Sequence, residues 1–349
     1  MHGGSGHTGK PSYSLIARCQ TASFRKTPAP GRWGRRGLGS GLGIGIIGQM
    51  ATRILVTADL HYNIPRSRGP TEALARRACR IGGDAIVLAG DTAGADLGPL
   101  RDCLRLFEGF GGRKLLVVGN HCLWCRNGES SMDRYERILP ELAREEGFHV
   151  LDTEPACLDG VGLVGSVGWY DYSFRDRSLG LPEAFYRAKV SPGAAAWLGG
   201  YEELLDAHRD VLTDAHMGLG VRWMDGVHVR LHVEDEQFVA MLAEKLRWHL
   251  QAAAARSRRV LAFLHHLPFA ELLPTGRPRK RAFGAAYLGS DRLGSVLRRC
   301  DRVTDVYCGH SHWAAEARIG RIHAVSVGST YTSKHLRTID VEEDCREES

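Results

Sequence analysis

The chain has 349 residues, of which 43% are hydrophobic and 25% are charged, the usual composition of a soluble globular protein. No run approaches the roughly 18 uninterrupted apolar residues of a membrane-spanning helix, so we expect a cytoplasmic protein without membrane association. The net charge of +6 comes from residues 1–50, which hold seven basic and no acidic residues and leave 39 basic against 40 acidic residues in 51–349. This balance disfavours nucleic acid as a partner, because a nucleic-acid-binding domain should present a basic face. The nine cysteines follow no framework spacing and are expected to be free thiols in a reducing compartment.

The first 50 residues are rich in Gly, Ser, Pro and Arg and lack any helical or strand period, which predicts a disordered basic tail. Three interpretations of this tail stay open. It is a transit-type targeting segment, a twin-arginine signal built on Arg35 and Arg36, or a stretch outside the translated protein if translation begins at Met50. One catalytic domain is predicted over 51–349.

Strands and helices alternate in the predicted first half of this domain. Continuous Val, Ile and Leu runs predict strands at 53–57, 84–89 and 114–118, covered on both faces. Helical spacing predicts helices over 71–81 and 97–110. Polar residues follow each strand at its carboxyl end, where open α/β sheets bind their ligands.

The second half is predicted to add strands at 161–167, 260–264, 303–307 and 322–327. The segment 170–255 lies between the first two of these strands. We interpret it as an insertion or cap that forms part of the pocket, irregular and aromatic at first and helical over 235–255.

Five short motifs of ligand-type residues follow predicted strands, in the order Asp-x-His, Gly-Asp, Gly-Asn-His, His-His and Gly-His-x-His. Each motif alone is common in turns and helix caps, so only their combination in this order indicates a metal site. An Asp and a His two residues apart share one face of an extended segment, where one cation can accept both. Mixed nitrogen and oxygen ligands suit Mn²⁺, Fe or Zn²⁺. The motif residues are Asp59, His61, Asp91, Asn120, His121, His265, His266, His310 and His312.

In order and spacing these motifs resemble the calcineurin-like metallophosphoesterase superfamily over residues 53–337. The resemblance implies an α/β fold, a four-layer α/β/β/α sandwich with an insertion after the strand near 161–167. It implies two divalent metal ions (Mn, Fe or Zn) and hydrolysis of a phosphodiester or phosphomonoester by a hydroxide that bridges them. By motif, Asp59, His61, Asp91 and His312 would hold the first ion, and Asp91, Asn120, His265 and His310 the second.

The resemblance also implies that His121 is the catalytic residue, which stabilises developing charge or protonates the leaving group. The family commonly has Asp or Glu directly after Gly-Asn-His, whereas this chain has Cys122. Asp96 is a candidate substitute that would orient His121. His266 and Cys122 are expected to lie behind the ligands.

Substrate contacts are predicted for Asn120, Trp169, Tyr170 and Arg277. The aromatic pair opens the insertion and would either stack on a base or leaving group, or pack the insertion against the sandwich. Arg277 begins a basic run that would contact a substrate phosphate or an acidic partner, or would be a solvated loop.

The predicted function is therefore metal-dependent hydrolysis of a small phosphate ester. A nuclease of the same superfamily is one alternative, which the neutral charge of 51–349 disfavours. A non-catalytic scaffold of the same fold is another, disfavoured because every ligand position and His121 are present.

Overall fold

Strands from both halves of the chain form two sheets. The computed structural model describes residues 51–126, 128–276 and 278–342, so the predicted tail at 1–50 and Arg277 lie outside the described residues. In the described part of the chain the strands are β1 Thr52–Thr57, β2 Ala85–Ala89, β3 Arg113–Val117, β4 His149–Val150, β5 Ala156–Leu158, β6 Val161–Ser166, β7 Arg259–Leu264, β8 Val303–Cys308, β9 Ala315–Ile319, β10 Ile322–Ser326 and β11 Arg337–Val341.

The strand order is β11-β1-β2-β3-β4 in one sheet and β5-β6-β7-β8-β10-β9 in the other. Strands β1 to β4 are parallel, and β11 lies antiparallel beside β1. In the second sheet β6, β7, β8 and β10 are parallel, while β5 and β9 are antiparallel edge strands. The carboxyl ends of the parallel strands therefore gather at one edge of each sheet.

The helices within the described ranges connect these strands. A π-helical turn at Arg134–Ile138 joins the fourth helix to the fifth. The helices are α1 Pro65–Ile81, α2 Leu97–Arg105, α3 Asn120–Leu123, α4 Ser131–Asp133, α5 Leu139–Glu145, α6 Glu183–Arg187, α7 Ala194–Gly199, α8 Glu202–Ala207, α9 Asp214–Met217, α10 Asp225–His228, α11 Asp235–Ala254, α12 Arg279–Gly284 and α13 Asp291–Arg298.

Alternate strand residues face two different cores, because successive side chains of a strand point to opposite faces. Val56 of β1 and Phe263 of β7 belong to a buried cluster built from strand residues of both sheets and the segments next to them. Leu55 of β1 and Ala262 of β7 belong to a second cluster that contains helix residues such as Leu246 of α11. The two cores give the predicted order of layers, helix, sheet, sheet and helix.

Two helix boundaries differ from the prediction. Helix α1 begins at Pro65 rather than residue 71, although Pro70 lies inside it. Pro65 occupies the first turn, where its fixed φ suits a helix and its missing N–H would be unpaired in any case. Helix α2 ends at Arg105 rather than residue 110, and the chain continues in turns such as the bond from Phe110 N–H to the Phe107 carbonyl.

The segment between β6 and β7 contains the short helices α6 to α10 and then α11, which packs on β6 and β7. None of the helices in the described part of the chain combines the length and hydropathy that crossing a membrane requires.

Candidate metal centre

The predicted ligand residues follow the carboxyl ends of five parallel strands, β1, β2, β3, β7 and β8. Asp59 and His61 come after β1, Asp91 after β2, and Asn120 after β3. The second sheet contributes His265 directly after β7 and then His310 and His312 after β8. Because β-sheet edges from both layers meet there, residues up to 253 positions apart in sequence lie side by side.

The backbone of these loops is left-handed at five of the seven predicted ligands. This conformation is uncommon outside glycine and clusters at functional sites. The expectation that Asp59 and His61 share one face of an extended segment is therefore wrong, since the backbone is left-handed at both residues, although their ligand atoms do lie within 4.8 Å of each other. The φ values are +57° at Asp59, +43° at His61, +49° at Asp91, +65° at His310 and +54° at His312.

Two glycines of the motifs permit close approach between the loops. A Cβ atom on Gly90 would lie 2.2 Å from Nδ1 of His265, and one on Gly119 would lie 2.1 Å from the backbone N of Asp91. Only glycine fits where the backbone passes this near to another group. Close packing between the loops therefore requires glycine at both positions, directly before Asp91 and directly before Asn120.

One group of ligand atoms consists of Asp59, His61 and His312, whose atoms lie within 4.8 Å of one another. Nε2 of His61 is 3.1 Å from Nε2 of His312, and Nε2 of His312 is 3.6 Å from Oδ1 of Asp59. Oδ2 of Asp91 approaches this group, at 3.5 Å from Nε2 of His61.

A second group consists of Asp91, His265 and His310. Nε2 of His265 is 3.4 Å from Oδ2 of Asp91 and 3.1 Å from Oδ1 of Asn120. Nδ1–H of His265 donates to the Ala89 carbonyl at 3.1 Å, and Nε2–H of His310 donates to the Tyr287 carbonyl at 3.1 Å. These bonds leave the other ring nitrogen of each histidine as a lone-pair donor, the arrangement usual for metal-binding imidazoles.

Burial and neighbouring charge adjust the ionisation of these groups. Burial lowers the pKa of His61 and of His310 well below the usual histidine value, so both rings are neutral at physiological pH. Burial opposes ionisation of Asp91, but the histidines around it, His265 first, hold its pKa well below the usual range. Burial likewise opposes protonation of His265, yet Asp91 raises its pKa to about 9, so a proton and a cation compete for its Nε2.

The donor set fits divalent transition-metal ions. It combines imidazole nitrogens, two carboxylates and one amide oxygen, all within a largely buried pocket. Neutral imidazole and ionised carboxylate are the forms that bind Mn²⁺, Fe²⁺ or Zn²⁺. Oδ2 of Asp91 lies between the two groups, 3.5 Å from Nε2 of His61 and 3.4 Å from Nε2 of His265.

His121 is partly exposed, as is the predicted ligand His312, with 19% and 24% of their side chains accessible. Its backbone N–H donates to Oδ1 of Asp91 at 2.9 Å, and its Nε2 is 3.9 Å from Oδ2 of the same carboxylate. Its atoms also lie near those of His61 and Asp91, in a third possible metal-binding group. The ring stacks on Trp124, with centroids 3.8 Å apart and planes 24° apart.

The structure adds Asp225, which the sequence analysis missed. Its buried carboxylate accepts hydrogen bonds from Asn120 Nδ2 at 2.9 Å and Trp124 Nε1 at 2.7 Å. The Tyr170 hydroxyl at 3.1 Å and Trp223 Nε1 at 2.8 Å also donate to it. Asp225 begins α10, inside the predicted insertion, and no motif marks it in the sequence.

Trp169 and Tyr170 are fully buried, so the prediction that they contact substrate is wrong. Trp169 Nε1 donates to Asp235 Oδ1 at 2.7 Å, and Tyr170 donates to Asp225. Their polar atoms are thus satisfied inside the protein, and the pair packs the insertion against the sheet.

Asp96 does not orient His121, and that prediction is also wrong. It caps α2 by accepting from Gly98 N–H at 3.1 Å, and its exposed carboxylate pairs with Arg126 at 3.4 Å. Trp124 instead covers one face of the His121 ring.

The two residues expected behind the ligands are buried there. His266 has its ring centroid 4.1 Å from that of His310, and its Nδ1–H donates to the Val167 carbonyl at 2.9 Å. The Cys122 thiol contacts the Ala93 carbonyl at 3.9 Å, and burial raises its pKa. Both belong to the packing beneath the site, while Arg277 lies outside the described residues.

Comparisons with known proteins agree with this architecture. A family model described as calcineurin-like phosphoesterase matches residues 52–314. A phosphopantetheinyl hydrolase from Mycobacterium tuberculosis is similar in structure, with 18% identity, a TM-score of 0.57, and coverage of 83% of this chain and 96% of that one. A dimetal phosphatase from Danio rerio is similar with 14% identity, a TM-score of 0.50, and coverage of 84% and 93%. At these identities the two structures show a shared fold. A search of curated proteins found no match.

Proposed function

The chain belongs to the calcineurin-like phosphoesterase family, and from this membership we propose that it hydrolyses a phosphate ester, either a phosphodiester or a phosphomonoester, with two divalent metal ions. The observation that supports this most directly is the position of Asp91. Its Oδ2 atom lies 3.5 Å from His61 Nε2 and 3.4 Å from His265 Nε2, between the two groups of donor atoms.

Seven residues would hold the two ions. Asp91 is common to both sets because its carboxylate faces both groups. Asn120 would offer its Oδ1, since its Nδ2 is occupied by Asp225. The first set is Asp59, His61, Asp91 and His312, and the second is Asp91, Asn120, His265 and His310.

Two bound divalent ions polarise phosphoryl oxygens and supply a hydroxide nucleophile at neutral pH. The chain's own contribution to the chemical step is His121, the partly exposed imidazole beside the two groups. Its position suits a proton donor to the departing oxygen or a stabiliser of the charge that develops there. The stacked indole of Trp124 limits rotation of this ring and so keeps it directed at the site.

The test is hydrolysis of bis(p-nitrophenyl) phosphate and p-nitrophenyl phosphate with added Mn²⁺, Fe²⁺, Zn²⁺ or Ni²⁺, with metal content measured on the same samples. We expect metal-dependent turnover of at least one ester. His310→Ala should lose more activity than the roughly 10–100-fold that removal of an outer partner of a ligand costs.

His323→Ala is the matched control, because His323 lies outside the candidate metal centre and pairs with Asp305 and Glu316. It should keep both turnover and metal. Absence of turnover with all four metals, or a His310→Ala variant as active as the His323→Ala variant, would count against the proposal.

A further inference from the structure

A cavity of about 460 Å³ opens directly beside the candidate metal centre. His310 and His312 line one part of it, and apolar side chains such as Val221 and Leu288 line another. Its size lies within the range of small-molecule sites, which are mostly apolar and carry a few polar groups that fix the ligand. A substrate whose phosphoryl group lies at the metal ions would therefore have its remaining part in this cavity.

Two tryptophans border the cavity, and one of them is held rigidly. Trp223 donates from Nε1 to Asp225 at 2.8 Å and stacks on Tyr287, with centroids 4.9 Å apart and planes 14° apart. Trp313 directly follows His312, and 48% of its surface is exposed. An indole that is exposed at the wall of a ligand cavity offers a flat face on which an aromatic ring can stack.

Two cations of α12, Lys280 and Arg281, also line the cavity. Both are exposed, and neither makes an ion pair with any residue in the described ranges. The metal ions themselves would supply positive charge for the reacting phosphoryl group. Lys280 and Arg281 add two positive charges in the same cavity, more than the single reacting phosphoryl group needs. They therefore suit a second anionic group of the substrate.

We propose that this cavity binds the part of the substrate beyond the reacting phosphoryl group, and that this part carries a flat aromatic ring and a second anionic group. The ring would stack on Trp313 beside Trp223, and the second anion would pair with Lys280 and Arg281. This inference rests on the proposed phosphoesterase function. It narrows the substrate to a phosphate ester that carries an aromatic ring and a second anionic group, as a nucleoside bisphosphate does.

The test uses competitive inhibition of chromogenic ester hydrolysis by the metal-loaded protein. The probes are ribose 5-phosphate, adenosine 5′-monophosphate and adenosine 3′,5′-bisphosphate, which add first an aromatic ring and then a second phosphate. We expect the inhibition constant to fall about tenfold at each step, in line with one ring stacking and one charge-assisted pair.

Each step should depend on its own residues. Trp313→Ala should abolish the difference between ribose phosphate and the monophosphate, and Lys280→Ala with Arg281→Ala should abolish the difference between the two nucleotides. Trp248→Ala and Arg279→Ala are the matched controls and should keep both differences. Trp248 is a 63% exposed tryptophan outside the cavity, and Arg279 is the cation of α12 that does not line it.

Equal inhibition by the three probes in the wild-type protein would overturn the inference while leaving the phosphoesterase function in place. So would an equal weakening of all three probes in the double variant, because Lys280 and Arg281 would then contact the common phosphate. If the protein hydrolyses no ester, the proposed function fails instead. Calorimetric titration of the same probes into the metal-loaded protein then tests the cavity by itself.

Discussion

The carboxylate of Asp225 accepts a hydrogen bond of 2.9 Å from the side-chain amide of Asn120. This bond fixes which end of the amide faces His265, whose Nε2 lies 3.1 Å from the Asn120 oxygen. The same Oδ1 atom of Asp225 accepts from Trp124, on which His121 stacks. Asp225 thus orients the candidate ligand Asn120, and it also holds Trp124, the indole on which His121 stacks.

Asp225→Asn should weaken metal binding and activity about 10–100-fold, the usual cost of removing the partner that orients a ligand. An Asn at this position presents an amide N–H₂ to donors that need an acceptor, so the Asn120 side chain loses its fixed orientation. Metal affinity measured by titration of the chelator-treated protein, together with kcat/KM, checks this expectation.

Asp235→Asn is the control for Asp225→Asn. Asp235 is also buried and accepts from Trp169, Tyr172 and Lys189, but none of its partners is a candidate ligand. The Asp235→Asn substitution should lower the free energy of unfolding by about 1–3 kcal/mol and leave the metal affinity of the folded protein unchanged. If both variants affected metal affinity equally, Asp225 would have a merely structural role.

Gly119→Ala should reduce kcat/KM by about 100-fold. Its Cβ would lie 2.1 Å from the backbone N of Asp91 and 2.2 Å from Oδ1 of Asp91, so the shared carboxylate must move. A displacement of catalytic groups by about 1 Å commonly costs this much activity.

Gly111→Ala is the control because a Cβ there meets nothing within 4 Å. The free energy of unfolding of this variant should change by no more than about 0.5 kcal/mol. Full activity in Gly119→Ala would show that the position of Asp91 is not critical.

His121→Gln should keep the metal content while lowering kcat by about 10²–10⁴-fold, the usual contribution of general acid–base catalysis. The loss should be larger for glycerol phosphate than for p-nitrophenyl phosphate, because nitrophenolate departs without needing a proton. An equal loss for both leaving groups would favour charge stabilisation over protonation. A loss of bound metal would place His121 among the ligands instead, with His61 and Asp91.

The sequence predicted seven of the eleven strands in the described part of the chain, and it placed the candidate ligands just beyond their carboxyl ends, because both features depend on local pattern. The four strands it missed, β4, β5, β9 and β11, all lie at the edges of the two sheets. A short, continuous apolar run such as Ala85–Ala89 is typical of a buried strand. The polar residues that follow such a run can then be assigned to the carboxyl end of the strand. Asp225 could not be predicted, since its relevance comes from partners such as Asn120, 105 positions away. The burial of Trp169 and Tyr170 also escaped prediction, because aromatic residues next to a site look alike whether their polar atoms meet substrate or a buried carboxylate.

Asp152 should make stability depend on pH between about 4 and 6. It accepts hydrogen bonds from Val118 N–H, at 2.8 Å, and from Val167 N–H, and so joins the ends of β3 and β6 across the two sheets. Burial raises its pKa to about 6, against about 3.9 in an unfolded chain. The folded state therefore favours the protonated form. Its contribution to stability is complete below pH 4 and is lost as the pH rises through 6, a change of about 3 kcal/mol.

The measurement is the free energy of unfolding of wild type and Asp152→Asn between pH 4 and 7, with a chelator present in both samples. A difference between the two proteins is needed because His249 acts in the opposite direction in the same range. Burial lowers the pKa of His249 to about 4, so its contribution is lost as the pH falls. The two proteins share that effect, and it cancels in the difference. The stability of wild type relative to the variant should therefore decrease as the pH rises, and a difference that stays constant would mean that folding leaves the pKa of Asp152 unchanged.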